Sequence, residues 1–454
     1  MSFKVINPAT GEQVKEVPAW NESEIESALT QVAAATPVWA DTPMAERCAL
    51  MVKAGKVLRQ NQDRYAAIIS QEMGKLIKDA RAEVEKCAAI CDFYAQKGPA
   101  FLADEKLASD ASDSYVAYLP LGTVLAVMPW NYPFWQVMRF AVPALVAGNT
   151  GVLKHASNVP QSALALEEVF TQAGFPDGVF RSLMIRASQV QKVIEDPRVH
   201  AVTLTGSEAA GRQVAATAGS VLKKCVLELG GSDAFIVLED ADLDEAVKWA
   251  VASRFLNSGQ SCIAAKRFIL VDAIAEDFLT RFKAGVEALQ AGDPMDEATT
   301  FAPMAREDLR DELHEQVKES IAAGAVAVTG CQPLVRPGAY YAASILDRVE
   351  PGVAAYHQEL FGPVAIVIRA RDEEDALRIA NDSLYGLGGS VWTGDSQRGA
   401  ALARRVESGC TYVNGMVKSD PRLPFGGIKN SGYGRELSRH GIQEFVNAKT
   451  IWVK

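Results

Sequence analysis

The sequence has no long apolar run and no excess of basic residues. Its most apolar segment, FAVPALVAG at 140–148, is too short to span a bilayer and contains Pro143. The opening MSFKVINPATGEQV lacks the apolar stretch of a signal peptide. The 46 basic and 56 acidic residues give a formal charge of −10, whereas nucleic-acid binding requires a basic surface. We therefore expect a cytoplasmic protein that binds neither membrane nor nucleic acid.

Cysteine and histidine are sparse and scattered. The seven cysteines are odd in number and widely spaced, which predicts reduced thiols and not a disulfide framework. No HExxH or CxxC segment occurs and the five histidines lie far apart, so no metal site is predicted. Cys87 and Cys91 are predicted to be buried packing thiols. Cys262, in FLNSGQSCIAAKRF, could by itself be a packing thiol, half of a disulfide, a metal ligand or a nucleophile.

The chain of 454 residues is too long for one core and predicts two or three domains. The first hundred residues are predicted to be helical, with a capping box at Asn21 and Glu24. From residue 122, short runs of valine, leucine and isoleucine alternate with helical patterns, which predicts an α/β fold with two nucleotide-fold-like halves on parallel sheets. The predicted strands are 114–120, 122–128, 151–154, 200–206, 223–231, 234–239, 266–271, 363–369 and 411–414, and the predicted helices are 44–60, 78–97, 136–147, 160–173 and 208–219.

Unusual residues follow four consecutive predicted strands. Asn131 and Lys154 lie at the ends of the first two, Gly206 and Ser207 at the end of the third, and Glu228 at the end of the fourth. Ligands of open parallel sheets collect at the carboxyl ends of the strands, so these residues predict one site at that edge.

Each of these residues also has a second interpretation. The turn TGS could bind a phosphate at a helix N-terminus or could end a strand for steric reasons alone. Glu228 is either a surface charge or a desolvated base with a raised pKa. Asn131 is either a turn residue or a donor to an oxyanion.

The segments NPATGE, PWNYP, LKHAS, TGS, LELGG, GQSC, QELFGPV and PFGGIKNSGYGRE together resemble the aldehyde dehydrogenase superfamily over essentially the whole chain. The resemblance implies that Cys262 is the nucleophile and that Glu228 activates the hydrolytic water. Asn131, with the backbone N–H of Cys262, is implied to hold the oxyanion.

The resemblance also implies the architecture. A cofactor-binding domain is expected at 1–104 and 123–230, and a catalytic domain at 231–429. A bridging β element is expected at 105–122 and 430–454. Bridging strands join subunits in this superfamily, so a homodimer or homotetramer is expected.

Cofactor residues follow from the same resemblance. Lys154 is implied to bind the adenosine ribose, and Gly206 and Ser207 to lie at the pyrophosphate. Glu359 is implied to hold the nicotinamide ribose, with Phe361 packed alongside and Trp130 nearby. Many NAD-preferring members have a glutamate where this chain has Ser157. The absence of that carboxylate removes its repulsion of a 2′-phosphate, which Lys154 and the Ser157 hydroxyl could bind. NADP is therefore predicted to be preferred, with NAD also used.

The chain most resembles the short bacterial succinate semialdehyde dehydrogenases. Their arginine for the distal carboxylate of the substrate is matched by Arg139, and their serine before PFGG by Ser419. Arg139 could instead be a surface residue that only snorkels. The remaining substrate residues are implied to be Tyr132 and Trp135.

A second arginine found in some of these enzymes is replaced here by Leu256, and Lys418 or Arg422 could compensate. The alternatives are a broader aldehyde dehydrogenase acting on glutarate semialdehyde or medium-chain aldehydes, and an acylating enzyme that passes the thioester to coenzyme A. A protein that kept the fold and lost catalysis is a third alternative. Glu228 argues against the coenzyme A reaction, and the complete set of Cys262, Glu228 and Asn131 argues against loss of catalysis.

Overall fold

The computed structural model describes residues 2–454, which form two parallel sheets covered by helices and a small antiparallel sheet. The helices are α1 Glu22–Asp41, α2 Met44–Gln60, α3 Gln62–Met73, α4 Ile77–Phe101, α5 Trp135–Val146, α6 Pro160–Ala173, α7 Val190–Glu195, α8 Glu208–Ser220, α9 Leu243–Phe255, α10 Ala275–Glu287, α11 Glu307–Ala322, α12 Ala354–His357, α13 Glu373–Asn381, α14 Ser396–Ala403 and α15 Ser438–Gln443. The strands are β1 Ser2–Ile6, β2 Gln13–Pro18, β3 Glu105–Lys106, β4 Asp113–Pro120, β5 Thr123–Met128, β6 Thr150–His155, β7 Phe180–Ser182, β8 Ala201–Thr205, β9 Lys224–Glu228, β10 Asp233–Val237, β11 Ala265–Val271, β12 Val326–Thr329, β13 Ser344–Asp347, β14 Val364–Ala370, β15 Tyr385–Gly386, β16 Gly388–Trp392, β17 Cys410–Val413, β18 Ile428–Lys429, β19 Gly432–Tyr433 and β20 Val446–Val453.

The first large sheet has the order β19-β9-β8-β5-β6-β7. All of its strands are parallel except β19, which runs antiparallel to β9. Strands β6 and β8 are buried along their whole length, because helices pack on both faces of the sheet. The carboxyl ends of β9, β8, β5 and β6 therefore lie side by side, as the sequence predicts.

The second large sheet has the order β12-β13-β14-β11-β10-β16-β17, and only β12 is antiparallel to its neighbour. Its two faces are covered by separate hydrophobic cores. On one face, the rings of Phe235 and Trp392 stack with centroids 5.1 Å apart. The predicted α/β fold with two parallel sheets is confirmed.

The small antiparallel sheet has the order β20-β4-β3. It combines residues from the two segments expected to form the bridging element. Strand β19 also lies in the second of these segments, but it extends the first large sheet by pairing with β9. The expected limits of the domains stay a prediction.

The sequence pattern predicted helices throughout the first hundred residues, and this prediction is wrong for the start of the chain. These residues begin with the antiparallel hairpin of β1 and β2, in which Phe3 pairs with Val17. Both strands are short and β2 is mostly exposed, so the apolar alternation is too brief to stand out. The later helices agree with the predicted ones within a few residues, and the capping box of Asn21 and Glu24 is confirmed. None of the helices in residues 2–454 is long and apolar enough to cross a membrane.

Candidate active site

The loop that carries Cys262 is held in a costly backbone conformation. Asn257, Ser258 and Gly259 have φ angles of 54°, 55° and 74°, in the left-handed region that disfavours side chains. For Asn257 and Ser258 this conformation costs about 1–3 kcal/mol each, and it persists only where the surroundings enforce it. A Cβ on Gly259 would lie 2.3 Å from the carbonyl oxygen of Gly362, so only glycine fits this approach. The packing around the loop therefore fixes the backbone immediately before Cys262.

Asn131 is part of the same loop's hydrogen-bond network. Its Nδ2 donates to the carbonyl oxygen of Gln260 at 3.0 Å. In return, the Nδ2 of Asn257 donates to the carbonyl oxygen of Asn131 at 2.9 Å. Asn131 is buried, and one N–H of its amide is not used by the Gln260 contact. The network brings this amide close to the Cys262 loop, as the sequence predicts for a shared site.

Lys266 holds the loop through hydrogen bonds to its carbonyl oxygens. This role was not predicted from the sequence. The Nζ of Lys266 donates to the carbonyl oxygens of Ser261 at 2.8 Å and Cys262 at 2.9 Å. The same Nζ lies 3.3 Å from Oε1 of Glu359. A lysine within the fully buried strand β11 was the signal that could have indicated this role, since buried lysines need specific partners.

Glu359 reaches the LELGG segment. Its Oε1 accepts from the backbone N–H of Gly231 at 3.1 Å. A Cβ on Gly230 would lie 2.4 Å from Oε2 of Glu359, and a Cβ on Gly231 would lie 2.6 Å from the carbonyl oxygen of Cys262. In this structure the groups that approach these two glycines most closely are Glu359 and the backbone of Cys262.

Cys262 opens into a cavity of about 110 Å³. Burial raises the pKa of its thiol to about 12, and the charges of Arg139 and Lys266 partly oppose that rise. None of the seven cysteines forms a disulfide, and Cys87 and Cys91 are buried as predicted. The cavity is lined by Lys86, Tyr132, Trp135, Gln136, Arg139, Ser253, Leu256, Ser261, Cys262, Ile263, Ala264, Met416, Val417, Lys418, Ser419 and Phe425.

Glu228 is a buried carboxylate and not a surface charge, with 2% of its surface exposed. Burial raises its pKa well above the ordinary value, and the nearby carboxylate of Glu436 raises it further. Arg139 acts in the opposite direction. A Cβ on Gly426 would lie 2.6 Å from Oε1 of Glu228, so the glycine of the PFGG segment makes room for this carboxylate. These features favour the second interpretation, a desolvated base.

Arg139 lies inside the protein, with 3% of its surface exposed, so the snorkelling interpretation is wrong. Its Nε forms an ion pair with Oε2 of Glu436. Its guanidinium carbon lies 4.7 Å from the centre of the Phe425 ring. Arg139 does line the cavity as expected, but its charge already has a carboxylate partner, which the sequence did not reveal.

Ser419 and Trp135 meet in the same cavity although they are 284 positions apart. The Nε1 of Trp135 donates to the Oγ of Ser419 at 3.0 Å. Lys86 joins them, with its Nζ 2.7 Å from the same Oγ. Sequence reasoning missed Lys86, because a lysine in an amphipathic helix ordinarily faces solvent.

The other two cations considered for this site differ in position. Lys418 is exposed and lines the cavity. Arg422 donates from Nε to Oδ1 of Asp420 at 2.9 Å and is not among the lining residues. Tyr132 lines the cavity, and the Nζ of Lys75 lies 3.8 Å from the centre of its ring.

The cofactor candidates lie on the adjoining rim. The rings of Trp130 and Phe361 meet edge to face with centroids 5.8 Å apart, although they come from distant segments. Ser207 caps helix α8, its Oγ accepting from the backbone N–H of Ala210 at 3.3 Å. Gly206 donates its backbone N–H to the carbonyl oxygen of Glu228 at 3.0 Å. The turn thus belongs to a true helix N-terminus.

Lys154 and Ser157 line different cavities. Lys154 contributes to a cavity of about 140 Å³ between the first sheet and helix α8, and burial lowers its pKa. Ser157 is exposed in the turn after β6 and lines a smaller cavity near Phe3. No carboxylate stands at position 157, as the sequence states.

The sequence profile described as the aldehyde dehydrogenase family matches residues 1–451. The chain belongs to the aldehyde dehydrogenase family. It is 51% identical over 453 residues to a probable NADP(+) succinate-semialdehyde dehydrogenase of Synechocystis sp., and this alignment covers 100% of both proteins. It is 48% identical to the NAD(P)+ succinate semialdehyde dehydrogenase Sad of Escherichia coli, over 98% of this chain and 97% of that protein.

A solved structure is also similar to this chain over nearly its whole length. The crystal structure of succinic semialdehyde dehydrogenase from Streptococcus pyogenes, in complex with NADP+ as the cofactor, superimposes with a TM-score of 0.98. It is 39% identical in sequence, and 99% of each chain is covered.

Proposed function

We propose that this protein oxidises succinate semialdehyde to succinate with NADP+ and also uses NAD+. The observation that carries the proposal is a single cavity in which Cys262 lies together with Ser419 and cationic side chains. Cations and a hydroxyl suit a substrate that carries a carboxylate beyond its aldehyde group. The full-length relatives that bear this activity in their names support the same substrate.

Cys262 performs the first step. Its thiol passes its proton to a water molecule, and the sulfur forms a bond to the aldehyde carbon while the carbonyl π bond breaks and its oxygen becomes an oxyanion. Asn131 Nδ2 and the Cys262 backbone N–H donate to that oxyanion, and such donors are commonly worth about 3 kcal/mol each. The Asn131–Gln260 hydrogen bond orients the amide for this task. Departure of a hydride from the same carbon leaves a thioester on Cys262.

Glu228 performs the second step. Its carboxylate takes a proton from water as the water oxygen attacks the thioester carbon. The carbon–sulfur bond then breaks, which releases the acid and restores the sulfur. Burial and the neighbouring Glu436 raise the pKa of Glu228 and make it a stronger base than an ordinary carboxylate.

The residues at the rim fit a nicotinamide dinucleotide. The apolar cavity beside Lys154 suits an adenosine, and the capped N-terminus of α8 at Ser207 suits a pyrophosphate. Glu359 is proposed to hold the nicotinamide ribose, with Phe361 and Trp130 beside the ring. When bound, the dinucleotide accepts the hydride.

The activity is tested by mixing the protein with succinate semialdehyde and NADP+ and following absorbance at 340 nm. We expect free succinate to form without coenzyme A, and kcat/KM to exceed that for butanal and for glutarate semialdehyde. Product that forms only with coenzyme A would contradict the hydrolytic step. Equal kcat/KM values for all three aldehydes would contradict the proposed substrate.

Substitution Ser157→Glu is expected to reverse the cofactor preference. A carboxylate at this position would repel the 2′-phosphate and could accept hydrogen bonds from a 2′-hydroxyl. We expect the ratio of kcat/KM for NADP+ to that for NAD+ to fall about 10–100-fold, since a charge-assisted hydrogen bond is worth about 1.5–3 kcal/mol. Ser157→Gln is the matched control without the charge, and the same fall in both variants would contradict the electrostatic explanation.

We also propose that two or four copies associate through the small antiparallel sheet. Strand β20 is one of its two edge strands and exposes 50% of Trp452 and 46% of Val453, and Leu119 on the neighbouring strand β4 exposes 41% of its surface. Exposed apolar side chains on a sheet edge favour a protein contact. Light scattering on the purified protein measures the number of copies, and a monomer would contradict the proposal. The seven free cysteines support a reducing compartment, for which we propose the cytoplasm.

A further inference from the structure

We propose that Lys86, acting with Ser419, binds the distal carboxylate of the substrate and is the main determinant of selectivity for ω-carboxylated aldehydes. This assignment rests on the proposed function and deepens it. Lys86 lies in helix α4, outside every segment that the sequence marked as functional.

Lys86 is held in place by two contacts within the cavity. Its Nζ donates to the Oγ of Ser419 at 2.7 Å and lies 3.9 Å from the centre of the Trp135 ring. The cation over the indole face gains electrostatic attraction from the ring. The Nε1 of Trp135 donates to the same Oγ at 3.0 Å, which closes a triangle of three side chains. The ammonium is thus positioned before any substrate arrives.

After the hydrogen bonds within this triangle are made, Lys86 and Ser419 can still donate hydrogen bonds to a ligand, but neither can accept one. The Oγ of Ser419 accepts from both Lys86 and Trp135, which occupies its two lone pairs. Its own O–H can therefore only donate, and a carboxylate oxygen is a suitable acceptor. The ammonium of Lys86 has three N–H groups, and one of them donates to Ser419. A carboxylate in the cavity would meet an ammonium and a hydroxyl that both donate to it.

Lys86 has no carboxylate partner among residues 2–454. The acidic residue one turn earlier in α4 is Glu83, and it is engaged elsewhere. Glu83 forms an ion pair with Lys75 and accepts from the backbone N–H groups of Phe134 at 2.9 Å and Trp135 at 3.0 Å. It thereby caps the N-terminus of helix α5, which carries Trp135. The positive charge of Lys86 stays available for a ligand.

Arg139 is the less suitable partner for the same carboxylate. Its guanidinium is paired with Glu436, so a second carboxylate would be attracted by one charge and repelled by the other. Arg139 lines the inner end of the cavity, where its charge acts on Cys262 and Glu228.

The titration of Lys86 adds a second, independent readout. Burial lowers its pKa to about 8, and the positive charge of Arg139 acts in the same direction. With this pKa the ammonium is fully charged only well below pH 8, and the charge is lost as the pH rises through that value. The titratable groups that face Lys86 are Glu83 and Cys87 of α4, Lys75 before it, Arg139 of α5 and Lys418 in the segment before Ser419.

The test compares selectivity in Lys86→Met with that of the wild type. Selectivity is defined as kcat/KM for succinate semialdehyde divided by kcat/KM for butanal, which lacks the carboxylate. We expect it to fall about 10–100-fold in Lys86→Met, mainly through KM for succinate semialdehyde. Lys97→Met removes an exposed lysine from the same helix and is the matched control, for which we expect wild-type selectivity. Equal losses for both aldehydes in Lys86→Met would overturn the proposal.

The pH dependence of the same ratio separates charge from packing. In the wild type we expect selectivity to decline above pH 8 as Lys86 loses its proton. In Lys86→Arg the guanidinium stays charged, so the ratio is expected to stay level across that range. A decline of equal size in both proteins would overturn the proposal, and this comparison holds even if Lys86→Met does not fold.

The two proposals fail in different ways. A wild-type protein that does not favour succinate semialdehyde over butanal contradicts the proposed function itself. A wild-type protein with that preference, combined with unchanged selectivity in Lys86→Met, contradicts only the assignment of Lys86 and returns the carboxylate to Arg139.

Discussion

Replacement of Cys262 with alanine is expected to reduce kcat by at least about 10⁴-fold, since no other group on the enzyme can take over formation of the thioester. The hydrogen bonds that hold the loop, from Asn131, Asn257 and Lys266, do not involve the Cys262 side chain, so the variant is expected to fold normally. Absorbance at 340 nm measures the loss of turnover.

Mass spectrometry provides the second measurement for Cys262. After the enzyme is mixed with aldehyde and dinucleotide, wild-type protein is expected to carry an acyl group at position 262 and the variant none. Cys225→Ala is the control, because Cys225 is a half-buried thiol on β9 with no contact to the cavity. Normal turnover in Cys262→Ala would remove the basis of the whole mechanism.

Substitution Glu228→Gln is expected to stop the reaction after one turnover. Acylation of Cys262 still proceeds, so absorbance at 340 nm should show a burst of NADPH whose concentration equals that of the enzyme. Hydrolysis of the thioester slows by about 10²–10⁴-fold, the usual contribution of a general base. The acyl-enzyme should then persist long enough for its mass to be measured.

The pH dependence of hydrolysis follows from the raised pKa of Glu228. Only the deprotonated carboxylate acts as a base, so hydrolysis in the wild type is expected to rise with pH, over a range above that of an ordinary carboxyl group. Glu228→Gln should lose this dependence. Glu245→Gln is the control, because Glu245 is an exposed carboxylate on α9. Equal hydrolysis rates in wild type and Glu228→Gln would contradict the role of Glu228.

The rim of the first sheet could be predicted from the sequence because its strands are short buried runs of valine, leucine and isoleucine. The carboxyl ends of parallel strands meet at one edge of the sheet. The order of the strands along the chain is therefore enough to predict that this edge carries Asn131, Lys154, Ser207 and Glu228. Their chemical roles required the family resemblance, since each residue also had an ordinary structural interpretation. The structure removes one of these alternatives by burying Glu228.

The partners of these residues could not be predicted, because they depend on packing between distant segments. Lys86 and Ser419 are 333 positions apart, and neither motif nor periodicity links them. The ion pair of Arg139 with Glu436 is of the same kind. The sequence therefore indicated that a cation for the substrate should exist, but it pointed to Arg139 and left Lys86 unnoticed.

The close approach of Gly259 to Gly362 has a consequence for adaptation of this enzyme. It brings the loop that places Cys262 against the loop that presents Glu359 and Phe361, so a side chain at Gly259 would push these two loops apart. A Cβ on Gly362 would instead collide with the side chains of Leu313 and Met304. Laboratory evolution toward bulkier aldehydes is thus expected to preserve both glycines.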